Sequence, residues 1–293
     1  MTILVGFSAT RHSDAPINLA VQIALSSGDS VVAAAIVEGS WPPKDHAFDR
    51  KFVDYVTARC LESLNRVVDR VPGDLNIPRV VHHSSSVPTG LIELAADRAA
   101  SLVVVGSSSS GLLGRVALGS VTGRLVHTAA VPVAIAPRGY PSMPGPLRRI
   151  TAAYGGEADA NGLLRAAAEL AKAWSVALRV VSFTVRPTLP FGGVVDSGVE
   201  DLVVQQWVQR THAEVAGRLD AIRPYIAPSD VEVIVGRGRD WREAVESLPW
   251  VPGDLLALGS GAAGQSERVF LGSVASKILR HAPVPVLILP RRR

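Results

Sequence analysis

Residues 101–137 read SLVVVGSSSSGLLGRVALGSVTGRLVHTAAVPVAIAP, and residues 254–290 read DLLALGSGAAGQSERVFLGSVASKILRHAPVPVLILP. One constant offset carries Gly106 onto Gly259, Gly119 onto Gly272 and Ser120 onto Ser273. His127 meets His281 only when one residue is slipped. Each stretch is a buried strand, a loop of small residues, a helix and a Val-Pro-Val strand. Two copies of one fold, each about half the chain, are the first expectation. A period this long does not suit a solenoid of small units.

The flanking sequence extends both copies. In the first, apolar runs predict strands at 2–7, 30–37, 77–82, 101–106 and 132–137. Helices are predicted from Asp14 and Pro16 to about Leu25, over 49–70, from Pro88 to about Ala99, and from Gly119-Ser120 onward. In helix 49–70, Phe52, Val56, Cys60, Leu64 and Val67 recur every three or four residues, which predicts an inward face. Residues 138–147, RGYPSMPGPL, hold three prolines and two glycines and predict a linker. The pattern then restarts, with strands at 148–153, 176–183, 230–235, 254–259 and 284–289. Helices follow at 158–173, 200–222, 240–247 and 271–281. The predicted domains are 1–137 and 148–290. Apolar strands alternating with helices indicate α/β domains whose parallel sheets are covered on both faces.

Composition narrows the function classes. The 293 residues are 47% hydrophobic, with a mean hydropathy of +0.26, enough for two cores. The net charge is +4, and Arg291, Arg292 and Arg293 read as a solvated tail. No basic stripe is interleaved with aromatics, so no nucleic-acid partner is expected. A single cysteine, Cys60, excludes an internal disulfide. No leader precedes the strand TILVGF and no apolar run reaches membrane length, so a soluble cytoplasmic protein without a membrane partner is expected. His82 and His83 are neighbours on a strand and face opposite ways, so no metal set is expected. His127 and His281 lie near helix ends, a structural position. No G-x-S-x-G elbow occurs, and no acidic pair is tied to a nucleophile. No catalytic residue is therefore expected.

Ligands of open parallel sheets collect beyond the carboxyl ends of the strands. The segments 106–120 and 259–273 lie there. Each begins with Gly after a strand and ends with Gly-Ser before a helix, where bare amides and a hydroxyl suit a phosphate. The plainer reading is a loop capped by Ser120 or Ser273. Neither segment is a Walker loop, because no Lys follows the terminal Gly. Arg115 and Arg268 lie within the loops, within reach of a phosphate. Arg237 and Arg239, in GRGRD, lie beyond another strand end. For all four, a solvated surface charge is the plainer reading.

With Gly106, Gly119-Ser120, Gly259, Gly272-Ser273, the repeated LGSV (Leu118–Val121 and Leu271–Val274) and HAPVPV at 281–286, the chain resembles a tandem universal stress protein. That resemblance implies two five-stranded parallel-sheet sandwiches of strand order 3-2-1-4-5, with helices on both faces, related by a pseudo-twofold axis. It implies ATP, with Mg²⁺ when bound, held by the glycine motif, and an Asp at the end of strand one that places the nucleoside. It implies a homodimer paired through strand-five edges. The candidate nucleotide-binding residues are Ser8, Gly106, Ser109, Arg115, Gly119, Ser120, Val121, Tyr154, Gly259, Ala262, Arg268, Gly272, Ser273 and Val274. This chain departs from the pattern at four of them. Ser109 and Ala262 replace the motif's middle glycine, adding a Cβ where positive φ or close approach is expected. Ser8 and Tyr154 stand at the strand-one Asp position. Tyr154 either stacks on a base or fills the space. Two functions remain open: a nucleotide-sensing stress regulator, and a nucleotide-free module that acts through the edges VPVAIAP and VPVLILP. A weak ATPase is a distant third.

Overall fold

The computed structural model describes residues 1–8, 13–39, 47–72, 75–155, 162–185, 205–206, 208–210, 213–218, 222–227, 230–259 and 271–290. The first half supplies strands β1 (Thr2–Phe7), β2 (Ser30–Glu38), β3 (Arg79–Ser84), β4 (Ala100–Gly106) and β5 (Val133–Ala136). Its helices are α1 (Ala15–Ser27), α2 (Ala47–Val68), α3 (Val87–Asp97) and α4 (Ser120–Thr128). The second half supplies β6 (Arg149–Ala153), α5 (Leu163–Ala173), β7 (Ala177–Val185), β8 (Glu232–Gly238), α6 (Trp241–Glu246), β9 (Asp254–Gly259), α7 (Ser273–His281) and β10 (Val286–Leu289). The helix expected over 200–222 falls partly outside the described residues; 213–218 are helical.

All ten strands form one sheet, in the order β3-β2-β1-β4-β5-β10-β9-β6-β7-β8. Each half keeps the order 3-2-1-4-5 and is parallel within itself. The halves meet at an antiparallel pair, β5 with β10. Its register is reciprocal: Val133 pairs with Ile288, Ile135 with Val286, and Ala134 faces Leu287 at the centre. Val133 and Val286 match in the repeat, as do Ile135 and Ile288, so a pseudo-twofold axis passes between Ala134 and Leu287.

This pairing corrects the expected route to a homodimer through strand-five edges. The strand-five edges are joined to each other inside one chain, so neither is left open for a second copy. The two expected five-stranded sandwiches are thus present and joined edge to edge, as one sheet between two continuous apolar layers. α1, α2 and α5 lie over one layer, with Ile17, Leu64 and Leu164 buried against Ile3, Ala134 and Leu287. α3, α4, α6 and α7 lie over the other, with Leu91, Leu125, Val245 and Leu279 buried against Leu4, Ile135 and Val286. Burial of Ile3, Leu4 and Val5 on a central strand is worth about 1.5–3 kcal/mol each.

The linker region packs against α1. The Tyr140 hydroxyl donates to Gln22 Oε1, Asn18 Nδ2 donates to the Tyr140 carbonyl at 3.0 Å, and the Leu147 amide donates to Ser26 Oγ at 2.8 Å. Burial pushes the Tyr140 phenol up to about 12.

Helix α2 departs from its expected inward face. Leu64, Val67 and Val68 are buried, but Phe52 is 61% exposed. At about 1.5 Å per residue, 22 residues make a helix of about 33 Å. The six-residue β3 spans only about 20 Å. The helix is longer than β3, and the buried residues of its apolar face, Leu64, Val67 and Val68, gather in its last turns.

The second half carries a buried ionic layer at the amino ends of its strands. Arg179 has no exposed surface. It donates to Thr151 Oγ1 at 3.1 Å, to the Pro249 carbonyl at 3.3 Å and to Asp254 Oδ2 at 3.3 Å, and its guanidinium lies 5.0 Å from the Trp250 ring. Arg149 clamps the same carboxylate through Nε (3.0 Å) and Nη2 (2.9 Å). The ladders match Thr151 and Arg179 to Leu4 and Val32 of the first half, where the layer is apolar.

Candidate functional site

In the first half the chain winds β1 to β3 on one side and β4 to β5 on the other. The order therefore reverses between β1 and β4. Beyond their carboxyl ends lies a cavity of about 430 Å³. Gly6, Phe7 and Ser8 border it from β1, Ile36 to Glu38 from β2, and Val105 to Ser108 from β4; Gly119 to Thr122 close it from the start of α4. Val56 and Cys60 of α2 and Leu91 of α3 complete an apolar wall. Burial raises the Cys60 thiol pKa.

The start of α4 is bare. Gly119 is the cap residue, extended at φ −90 and ψ −178, and makes no side-chain cap bond. Any residue adopts that backbone, and a Cβ there would meet only Ser108, at 3.4 Å. Ser, Asp or Asn would stabilise the helix more at this place. Packing does not require glycine at 106 either: a Cβ there would sit 3.7 Å from Pro16, an ordinary contact. Ser120 is the first helical residue rather than the cap. The capped-loop reading through Ser120 is thereby corrected. Thr122 Oγ1 donates to the Gly106 carbonyl at 3.1 Å, which ties the helix to the end of β4.

The loop between them is pinned shut. Ser107 Oγ accepts from the Ala117 amide at 2.7 Å and donates to its carbonyl at 3.3 Å, while the Ser108 amide donates to the same carbonyl at 2.8 Å. Ser109 is exposed and has no positive φ. The positive φ of this loop falls on Gly114, at 73°. A Cβ at 109 is therefore accommodated, against expectation, because the turn lies five residues later. Ser109 does not border the cavity; Ser107 and Ser108 do.

Arg115 is a correction. It turns away from the cavity and crosses to the other half. There it donates to the His281 carbonyl at 2.5 Å and pairs with Glu246. The loop doubles back through Arg138, whose amide donates to the Arg115 carbonyl at 3.1 Å, and this aims the side chain at the ends of α6 and α7. Arg239 is also engaged elsewhere, pairing with Glu243 four residues on. The Glu243 carboxyl is held down to about 2, chiefly by that side chain. Arg237 lies within β8.

The second half differs at the matching place. Ile3 pairs with Leu102 and Ile150 with Leu255, and those leucines match in the repeat. The ladder therefore sets Tyr154 against Phe7, not Ser8. The strand-one Asp position falls on Gly155, which corrects the sequence alignment by one residue. Tyr154 is 4% exposed and Phe7 5%. The Tyr154 amide continues the ladder to the Val181 carbonyl at 2.7 Å, and the Arg218 guanidinium lies 5.7 Å from its ring. Tyr154 fills space in the core. Gly259 packs against Leu163, which a Cβ would meet at 3.6 Å. Gly272 caps α7 without a side-chain bond, Ser273 begins the helix, and Val274 is 48% exposed. Ala262 and Arg268 lie outside the described residues.

Sequence reasoning missed Glu38, Ser108, Thr122 and Cys60 as cavity residues. Glu38 alone carried a signal, as the first charged residue after an unbroken apolar strand. Among the described residues, no group of three or more His, Cys, Asp or Glu is arranged to hold a metal ion. No described helix is long and apolar enough to cross a membrane.

Comparison with known proteins agrees with this architecture. The universal stress protein family model matches residues 1–137 and again 146–290. A universal stress protein of Mycobacterium tuberculosis is 32% identical over 297 residues, covering 99% of this chain and 100% of its own. A second from that organism is 28% identical over 228 residues, 73% of this chain and 69% of its own. A solved universal stress protein from Archaeoglobus fulgidus shares the fold over 99% of this chain and 98% of its own, with 14% identity and a TM-score of 0.56. With a family match across both halves and full-length similarity above 30%, this chain belongs to the universal stress protein family, as a tandem of two such domains.

Proposed function

We propose that the first half binds an adenine nucleotide, ATP accompanied by Mg²⁺, and that occupancy switches the protein between states in a stress response. One observation carries this reading: a helix start left uncapped where it faces a formed cavity. The free first-turn amides and the helix dipole favour a phosphate there. Ser108 and Ser120 add hydroxyls beside them. Ile36, Val37, Val56 and Leu91 form a wall suited to a flat base, and the volume is within the usual range for small-ligand sites, about 300–1,000 Å³. Mg²⁺ would reduce the negative charge brought into a space where the described residues offer no cationic side chain.

For the second half we propose a structural role. The buried Arg179–Asp254 pair, which the described residues of the first half lack, supports it, as does the sheet continuing through β5 and β10. Occupancy of the first half can move the whole only through a difference in affinity between two states. The test is calorimetric titration of the full chain with ATP and Mg²⁺, preceded by the 260/280 nm absorbance ratio of fresh protein and chromatography of any nucleotide released by heat. One bound nucleotide per chain is the expected result. Clean protein that takes up no ATP would leave the nucleotide-free module as the function of both halves.

A further inference from the structure

We infer that Glu38 supplies, in the first cavity, the acceptor that strand one lacks, and that it selects a ligand with a hydrogen-bond donor on its nucleoside end. This rests on the nucleotide reading above. Among the described residues bordering the cavity, Glu38 alone carries a charge. It stands at the carboxyl end of β2, one residue past buried Val37. Its Oε1 accepts from the Val87 amide at 3.0 Å. Val87 is the first residue of α3, so the carboxylate sits where a helix dipole favours negative charge. That bond orients the group, and Oε2, which no hydrogen bond or ion pair engages among the described residues, is left to accept from a ligand.

The cavity is therefore bipolar. Donor amides of α4 stand at one end and a fixed carboxylate at the other. β1 separates β2 from β4, and the ladders set Gly106 level with Ala35. At about 4.8 Å between strands and about 3.3 Å per residue, the Glu38 and Gly106 Cα atoms are about 14 Å apart. That separation suits a nucleoside polyphosphate laid across the strand ends, anion at α4 and nucleoside at β2. A bare polyanion gains nothing from Glu38, and a ligand with anions at both ends is repelled by it. Ser8 at the end of β1 cannot replace a carboxylate in charge. The donor that meets Glu38 is either the exocyclic amine of adenine or a ribose hydroxyl.

The experiment measures dissociation constants of the full chain for Mg²⁺–ATP and for inorganic tripolyphosphate, in the wild type, Glu38→Ala and Glu38→Gln. Glu38→Ala should weaken ATP by about tenfold or more and leave tripolyphosphate within about twofold. Glu38→Gln keeps an oxygen for the Val87 amide and should weaken ATP less. Purine riboside triphosphate and 2′-deoxy-ATP identify the donor, since the analogue lacking it becomes insensitive to Glu38→Ala. Equal weakening of ATP and tripolyphosphate would overturn the inference, because it would trace the effect to the seating of α3. Unchanged ATP binding in Glu38→Ala would overturn it and leave the nucleotide reading standing. A wild type that binds tripolyphosphate but no ATP ends both.

Discussion

The two halves share a framework and differ in what lies at each end of their strands. In the first half the carboxyl ends open on a cavity and the amino ends carry an apolar layer, Leu4 beside Val32. In the second, Tyr154 is buried at the place Phe7 holds in the first, and the amino end holds the Arg149–Arg179–Asp254 cluster. Strand order and loop glycines are common to both. The lesson is that a parallel sheet holds its topology through backbone ladders and apolar faces, while the residues at strand ends are free to diverge.

The largest expected effect sharpens the contrast at the amino ends. Asp254→Ala leaves Arg179 buried without its carboxylate and should cost about 3–5 kcal/mol, read by denaturant unfolding. The matching Ser101→Ala removes a hydroxyl that donates to the Thr2 carbonyl and should cost under about 1 kcal/mol. Equal costs would show that the ionic layer is not what distinguishes the halves.

The carboxyl ends are compared by the pair Gly119→Asp and Gly272→Asp. Each installs a self-capping carboxylate at an extended backbone position with room for a Cβ. Each should stabilise by a few tenths of a kcal/mol, about what a better cap adds over glycine. Only Gly119→Asp should also weaken ATP, by about tenfold or more, because its carboxylate takes the amides a phosphate would use. If Gly272→Asp weakens ATP as much, both halves bind and the asymmetry proposed above is wrong.

A smaller effect concerns the tie between halves. Arg115→Met removes a partly exposed bond set to Glu246 and His281 and should cost about 1 kcal/mol. Unfolding of the two halves should become less coincident when followed by separate probes.

The smallest effect compares two caps. The α3 cap residue, Ser86, accepts from the Thr89 amide through a hydroxyl that does not titrate, whereas the α6 cap uses Asp240 and Glu243. The Glu243 carboxyl is lowered to about 2. Its contribution to stability is thus fully present above its ordinary value of 4.5 and is lost as pH falls through about 2. Glu243→Gln should melt below the wild type at pH 6, with the gap closing toward pH 2. A gap that stays constant with pH would remove the charge from the account.

Much of the fold was legible because buried parallel strands are written as unbroken apolar runs and the turns between them carry Gly and Pro. The glycine loops were legible for the same reason at the site. Phe52 was misread because periodicity reports which side of a helix is apolar and not how far the sheet beneath it extends. Tyr154 was misaligned because register is fixed by the ladder to β9, which only the folded chain reveals. Arg115 was assigned to a phosphate on proximity along the chain; the doubling back of its loop sends the side chain to Glu246, 131 residues away in sequence. Val-Pro-Val edges announced a partner strand, but the pattern is identical whether that partner belongs to another chain or to this one.

The reciprocal pair β5–β10 has an evolutionary consequence. In an assembly of two identical chains, every substitution appears in both pockets at once, so neither can be closed without closing the other. Fusing the two units into one polypeptide removes that bond between them. Phe7 and Tyr154, or Ser101 and Asp254, are then separate letters, and one half can take an ionic layer at its strand starts while its twin keeps an apolar one.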